Sequence, residues 1–261
     1  MKIRNRRPGG SLFHYAHFLY DCLFPEVNKK VYDMGPIVYR KKVLMQTIGN
    51  FSKIYEEVMG VKNVEVDEKV FKVLKEKNIL VESRYKLPSK REFDYFRSYV
   101  LGRYMVEDDQ SFPQVILIER GDRRELLNDD NLRKVNNNYT TGKERREIGR
   151  IGELKEYLGR LIPYVFKVVM LEDMPFGEQV KLFYNVKMVI AAHGAAMTNM
   201  LFSKEGMVLV EVREVGWEWK YFDDIAKKCG IRLIKVDNNL DKIKSLVTSE
   251  VKRLKISGSK F

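Results

Sequence analysis

The chain has 261 residues, 44% of them hydrophobic and 11% aromatic, with 7 prolines; this excludes a disordered polypeptide and suffices for one large α/β domain or two small ones. Lys and Arg number 48 against 36 Asp and Glu, so the net charge of +12 favours an anionic partner without choosing among nucleic acid, phosphorylated sugar and lipid surface. No apolar run approaches the roughly 18 residues of a membrane span, the basic opening MKIRNRRPGG has no apolar stretch behind it, and two cysteines, Cys22 and Cys229, make no disulfide framework, so a soluble, cytoplasmic protein without signal peptide or membrane anchor is expected.

The first hundred residues mix helical patterns with short β-prone runs. SLFHYAHFLYDCLF, FSKIYEEVMG, EKVFKVLKEK and REFDYFRSYVLGRYM read as helices, and VLMQTI, NVEVDE and NILVESR as strands, which predicts a smaller α/β unit over 1–106. The acidic, turn-rich EDDQSFP at 107–113 interrupts both periodicities and reads as a linker. From 114 onward the pattern is regular: VILIE, KVVML, MVIAA, MVLVEV and IRLIKV alternate with GELKEYLGRLIPY, FGEQVKLFYNV, AAMTNMLFS, KYFDDIAKKCG and a long terminal helix. Strands that are apolar on both faces, each followed by a helix, predict a parallel sheet covered on two sides, a Rossmann-like domain over 114–261.

Several common chemistries are absent from the sequence. There is no Gly-x-Gly pair for a dinucleotide fingerprint, no P-loop, no Gly-x-Ser-x-Gly elbow, no His-Glu-x-x-His and no Asp-x-Asp pair to hold a metal beside a diphosphate. A diphosphate, if bound, is therefore expected to be held without a metal or other cofactor. The lysines and arginines lie mostly along helical segments and read as solvated faces, and the densest block, KERREIGR at 143–150, is diluted by two glutamates.

Three segments carry candidate chemistry. In VIAAHGAAMTNMLF a buried strand runs into His193, and the small residues Gly194, Ala195 and Ala196 open the next helix; unpaired amides at a helix start attract an anion, although the same small residues also suit tight helix-on-sheet packing. In VILIERGDRRELLND the strand ends among Arg120, Arg123 and Arg124, either a bidentate clamp for phosphate oxygens or a solvated turn paired with Asp122, Glu125 and Asp129. In GGSLFHYAHFLYDCLFPEV, His14, His17 and Asp21 share a face at α-helical spacing, and a carboxylate beside an imidazole suits it to accept a proton. An amphipathic core helix accounts for that segment equally.

Taken together and in this order, the three segments resemble glycosyltransferase family 61. HFLYDCLFP is similar to the family's His-x-x-x-Asp/Glu-x-x-Pro type helix, VILIERGDRRELLND to its strand ending in an Arg-rich turn, and FGEQV, AHGA, TNMLF and VLVEV to its most recognisable block. The resemblance implies a GT-B architecture, two Rossmann-like domains facing a cleft, with a terminal helix that can pack back on the N-terminal domain. It also implies an inverting, metal-independent transferase that moves a sugar, xylose or N-acetylglucosamine favoured, from a UDP-sugar donor to a glycan or glycoprotein acceptor. Arg120, Arg124, His193, Gly194, Ala195 and Asn199 would surround the diphosphate, Glu211 would reach the ribose hydroxyls, and His14 would lie on the substrate side of the catalytic pair His17 and Asp21. A basic nucleic-acid-binding module and an inactive, transferase-like nucleotide or glycan binder are the alternatives; no nucleic-acid-binding motif is present.

Overall fold

A computed structural model describes residues 15–28, 37–41, 51–67, 69–70, 89–121, 147–216 and 220–256. The chain is an α/β protein that divides into two compact units, Met1–Arg103 and Tyr104–Phe261.

The described part of the first unit opens with one helical run that changes its winding: α1 (Tyr15–His17), a π-helical stretch over Phe18–Leu23, and α2 (Phe24–Asn28). Strand β1 (Ile37–Lys41) pairs in parallel with β2 (Lys62–Val66), and α3 (Phe51–Met59) lies between them in sequence, a β-α-β unit. Helix α4 (Lys90–Arg103) begins with a capping box, Ser89 and Glu92 each taking the other's backbone amide. Aromatic rings hold these helices together. Phe24 meets Phe93 and Phe96 at 4.9 Å each, Phe18 stacks on Phe51 at 4.9 Å, and the buried Tyr55 hydroxyl donates to Glu26. Of the expected strands, NVEVDE corresponds to β2; VLMQTI, NILVESR and nearly all of EKVFKVLKEK lie outside the described residues.

The second unit contains a five-stranded, wholly parallel sheet: β3 (Val115–Ile118), β4 (Phe166–Val169), β5 (Met188–Ala192), β6 (Val208–Arg213) and β7 (Arg232–Asp237), in the spatial order β4-β3-β5-β6-β7. One face of the strands, with Val115, Leu117, Met188, Ile190, Val208, Val210 and Val212, is packed by α5 (Ile151–Leu161) and α8 (Leu240–Arg253) through Leu154, Leu158, Ile243 and Val247. Side chains alternate along a strand, so Ile116, Ile118, Val189, Ala191, Leu209 and Glu211 point to the other face. The remaining connections belong there: α6 (Phe176–Asn185), a 3₁₀ helix over Ala195–Phe202, and α7 (Tyr221–Cys229). Phe176 and Phe202 close that layer edge to face at 5.6 Å.

The segment after β5 is a 3₁₀ helix rather than the α-helix its pattern predicts. Eight residues of 3₁₀ helix rise about 16 Å against about 12 Å for α-helix, and five residues of strand also run about 16 Å. The tighter winding lets this short crossover return along the whole of β5, with every side chain from Met197 to Phe202 buried. The 107–113 stretch is fastened to the second unit, since Asp109 N donates to Asn185 Oδ1 at 2.9 Å and Asn185 Nδ2 donates to Glu107 O at 3.3 Å.

Candidate functional site

The strand order reverses at β3. The connection from β3 leads outward to β4, whereas the next one crosses back over β3 to β5 and onward through β6 and β7. In an open parallel sheet a crevice forms where the carboxyl ends of two such strands diverge, and that is where ligands bind. Ile118 is in register with Ala191, so two residues further on Arg120 and His193 stand side by side at this point.

His193 is held on four sides. Its amide donates to Val212 O at 3.0 Å, extending the β5–β6 ladder, and its carbonyl accepts from Arg120 Nη2 at 2.6 Å. Ring nitrogen Nδ1 is hydrogen-bonded to Glu211 Oε1, and the ring meets Phe222 of α7 at 5.2 Å and 62°. His193 is 6% exposed and Glu211 only 1%. The pairing follows from register: Ala191 faces Glu211 across β5 and β6, so the residue two beyond Ala191 leans over that carboxylate.

Gly194 is needed for space. Its backbone is extended (φ 166°), a conformation open to any residue, but a Cβ there would lie 1.6 Å from Arg120 Nη2. Without the side chain the guanidinium settles directly over the main chain. The first 3₁₀ bond runs from Met197 N to Gly194 O at 3.0 Å; the amides of Ala195 and Ala196 precede it and have no acceptor within the helix. A guanidinium, an imidazole and the positive end of a short helix thus converge on one strand end, a setting that suits an oxyanion.

The remaining expected residues are placed differently. Asn199 is fully buried and its Nδ2 donates to Gln179 Oε1 at 3.0 Å, while Gln179 Nε2 donates to Leu171 O and Met174 O at 2.9 Å each. The pair ties the 3₁₀ helix to α6 and to the turn before it. Glu211 has one oxygen on His193, and its Oε2 is buried without a partner among the described residues. Glu119, which precedes the arginines, is held by Lys155 Nζ at 2.7 Å. His17 ends α1 and Asp21 lies in the π-helical stretch, where i→i+5 winding replaces the α-helical turn that the sequence pattern predicts. Their side chains, and all of His14, Arg123 and Arg124, lie outside the described residues.

Sequence reasoning did not single out Gln179 or Phe222. Gln179 was visible as a polar residue on the apolar face of FGEQVKLFYNV, a place where an amide needs partners; nothing local marked Phe222. Among the described residues no group of three His, Cys, Asp or Glu is gathered to hold a metal, and no helix is long and apolar enough to cross a membrane. A family model described as Glycosyltransferase 61 matches residues 15–210. No curated protein matches the chain.

Proposed function

The chain belongs to glycosyltransferase family 61 and is a glycosyltransferase, and from that premise we propose an inverting, metal-independent reaction in which a UDP-sugar donates xylose or N-acetylglucosamine to a glycan hydroxyl. The observation that carries the reading is the adjacency of Arg120 and His193 at the strand-order reversal, with Gly194 kept bare so that the guanidinium can lie on the main chain. Anions gather where arginine, imidazole and helix-start amides meet, and a nucleotide diphosphate is the anion that a sugar transferase must hold.

In this mechanism the acceptor oxygen attacks the anomeric carbon as the bond to the diphosphate oxygen breaks, and the acceptor proton passes to a base. His17, with Asp21 as its orienting partner, is the proposed base. Negative charge grows on the departing diphosphate, where Arg120, Arg124, His193 and the amides at Gly194 and Ala195 offset it. Fixed donors are effective here because they need no rearrangement as the charge develops. A GT-B arrangement of the two units, with the donor held by Tyr104–Phe261, suits such a reaction.

The direct test is thermal stabilisation by a panel of nucleotide sugars, followed by turnover in excess chelator. Stabilisation by UDP-sugars and chelator-resistant turnover are expected, since a ligand that binds the folded state raises its stability with the logarithm of saturation. Turnover that disappears with chelator and returns with manganese would remove the metal-independent mechanism.

A further inference from the structure

We infer that Glu211 is a positioning residue for His193 rather than a ligand of the donor's ribose: it takes the proton on Nδ1 and leaves Nε2 as the nitrogen turned toward the diphosphate. The ligand half of this inference rests on the UDP-sugar reading; the tautomer half stands on the geometry alone.

An ionised carboxylate can only accept, so the hydrogen bond between Glu211 Oε1 and Nδ1 requires the proton to sit on Nδ1. The ring cannot turn to exchange its nitrogens without breaking that bond and leaving the edge of Phe222, while both main-chain groups of His193 are already committed to Val212 and Arg120. With Nδ1 committed to Glu211, Nε2 is the ring nitrogen that the inference assigns to the ligand.

Glu211 itself is a poor ribose ligand where it stands. It is 1% exposed and lies beneath the imidazole, so a sugar would have to displace His193 to reach it. Its strand neighbours Leu209, Val210 and Val212 are all aliphatic and buried, and an apolar residue would satisfy packing at this position without burying a carboxylate. Glu211 is buried nonetheless, with Oε2 lacking a partner among the described residues. Burying a charge that is only half satisfied destabilises the fold, and that cost is understandable if the carboxylate governs an imidazole. Carboxylate partners of this kind fix the tautomer and orientation of working histidines elsewhere in protein chemistry.

The chain has three histidines, so nitrogen-15 labelling of histidine in the full-length protein reads each ring by NMR. A protonated Nδ1 on His193 is expected in the wild type, with Glu211→Leu moving the proton to Nε2 or mixing the tautomers. An unprotonated Nδ1 in the wild type, or a tautomer indifferent to Glu211→Leu, overturns the inference.

Binding of UDP, inorganic pyrophosphate and uridine then separates the two roles. Positioning predicts that Glu211→Leu weakens UDP and pyrophosphate by the same factor, about tenfold, leaves uridine unchanged, and adds nothing in a His193→Ala background. Loss of UDP and uridine binding with pyrophosphate unaffected would assign Glu211 to the ribose and overturn the inference. Glu211→Gln keeps the shape and an accepting oxygen and should restore most of the pyrophosphate affinity, which guards against a folding defect in the leucine variant. A wild type that binds neither UDP nor pyrophosphate would instead sink the donor reading and the ligand half with it, leaving the NMR result to decide the tautomer.

Discussion

The guanidinium of Arg120 occupies the space that a side chain on Gly194 would fill, with Nη2 1.6 Å from the Cβ position and 2.6 Å from the neighbouring carbonyl of His193. The two residues are 74 positions apart in sequence, yet each determines what the other can be.

Gly194→Ala should therefore behave as an arginine deletion. The extended backbone tolerates alanine, so stability should change little, while the expelled guanidinium should lower kcat on the order of 10²-fold, the usual effect of losing one charge-stabilising donor. Steady-state kinetics on Gly194→Ala, Arg120→Ala and the double variant check this. The double variant should be no worse than Arg120→Ala alone, and additive losses would refute the coupling.

Asn199→Ala strips Gln179 Oε1 of its buried donor. Leaving a buried acceptor unpaired should lower stability by about 1–3 kcal/mol, read from the urea midpoint. A loss of UDP affinity with an unchanged midpoint would mean that Asn199 acts on the ligand directly.

Glu250 of α8 is 4% exposed and lies against Arg253 Nε at 2.7 Å and Arg232 Nη2 at 3.2 Å. Burial pushes its carboxyl upward, but the hydrogen bonds and the charges of Arg253 and Arg232 together outweigh burial and hold it below its ordinary value of 4.5. A carboxyl depressed in the folded state contributes stability above its unfolded value, and that contribution is lost as pH falls through the folded one. Thermal midpoints taken from neutral pH down past 4.5 should fall less steeply for Glu250→Gln than for the wild type. Parallel curves would contradict the assignment.

Asn185→Ala removes both hydrogen bonds that fasten Glu107 and Asp109 to the second unit. Amide exchange at Asp109 should quicken by about 2–10-fold, in keeping with the loss of exposed hydrogen bonds, while the β5 amides keep their protection. Equal acceleration in β5 would indicate global destabilisation.

How much of this was legible in the sequence depends on the element. MVIAA and VILIE declare themselves because strands buried on both faces must be apolar throughout, and their alternation with helices gives the parallel sheet directly. IVYRK does not, since a strand of a two-stranded sheet carries Tyr, Arg and Lys and resembles a loop. AAMTNMLF is buried from Met197 to Phe202 on every side, so no exposed face is left in its pattern to tell 3₁₀ winding from the α-helix expected. The π-helical winding over Phe18–Leu23 is likewise silent.

At the site itself His193 and Gly194 were visible from their neighbours alone, through small residues after an apolar strand that suit an anion and tight helix-on-sheet packing alike. The partners were not. Arg120 meets Gly194 and Glu211 meets His193 only through strand register, which depends on two strand pairings, β3 with β5 and β5 with β6, and on no local motif. The family resemblance alone sets Asn199 beside the diphosphate; its side chain donates to Gln179, on the preceding helix, a contact that no local motif announces.

The alternation of faces along β6 makes the Glu211 contact all or nothing. A slip of β6 by one residue against β5 would carry the carboxylate through the sheet, into the aliphatic layer under α8, and bring Val210 or Val212 up against the imidazole. The register of β6 against β5 is thus what seats that carboxylate beside the imidazole.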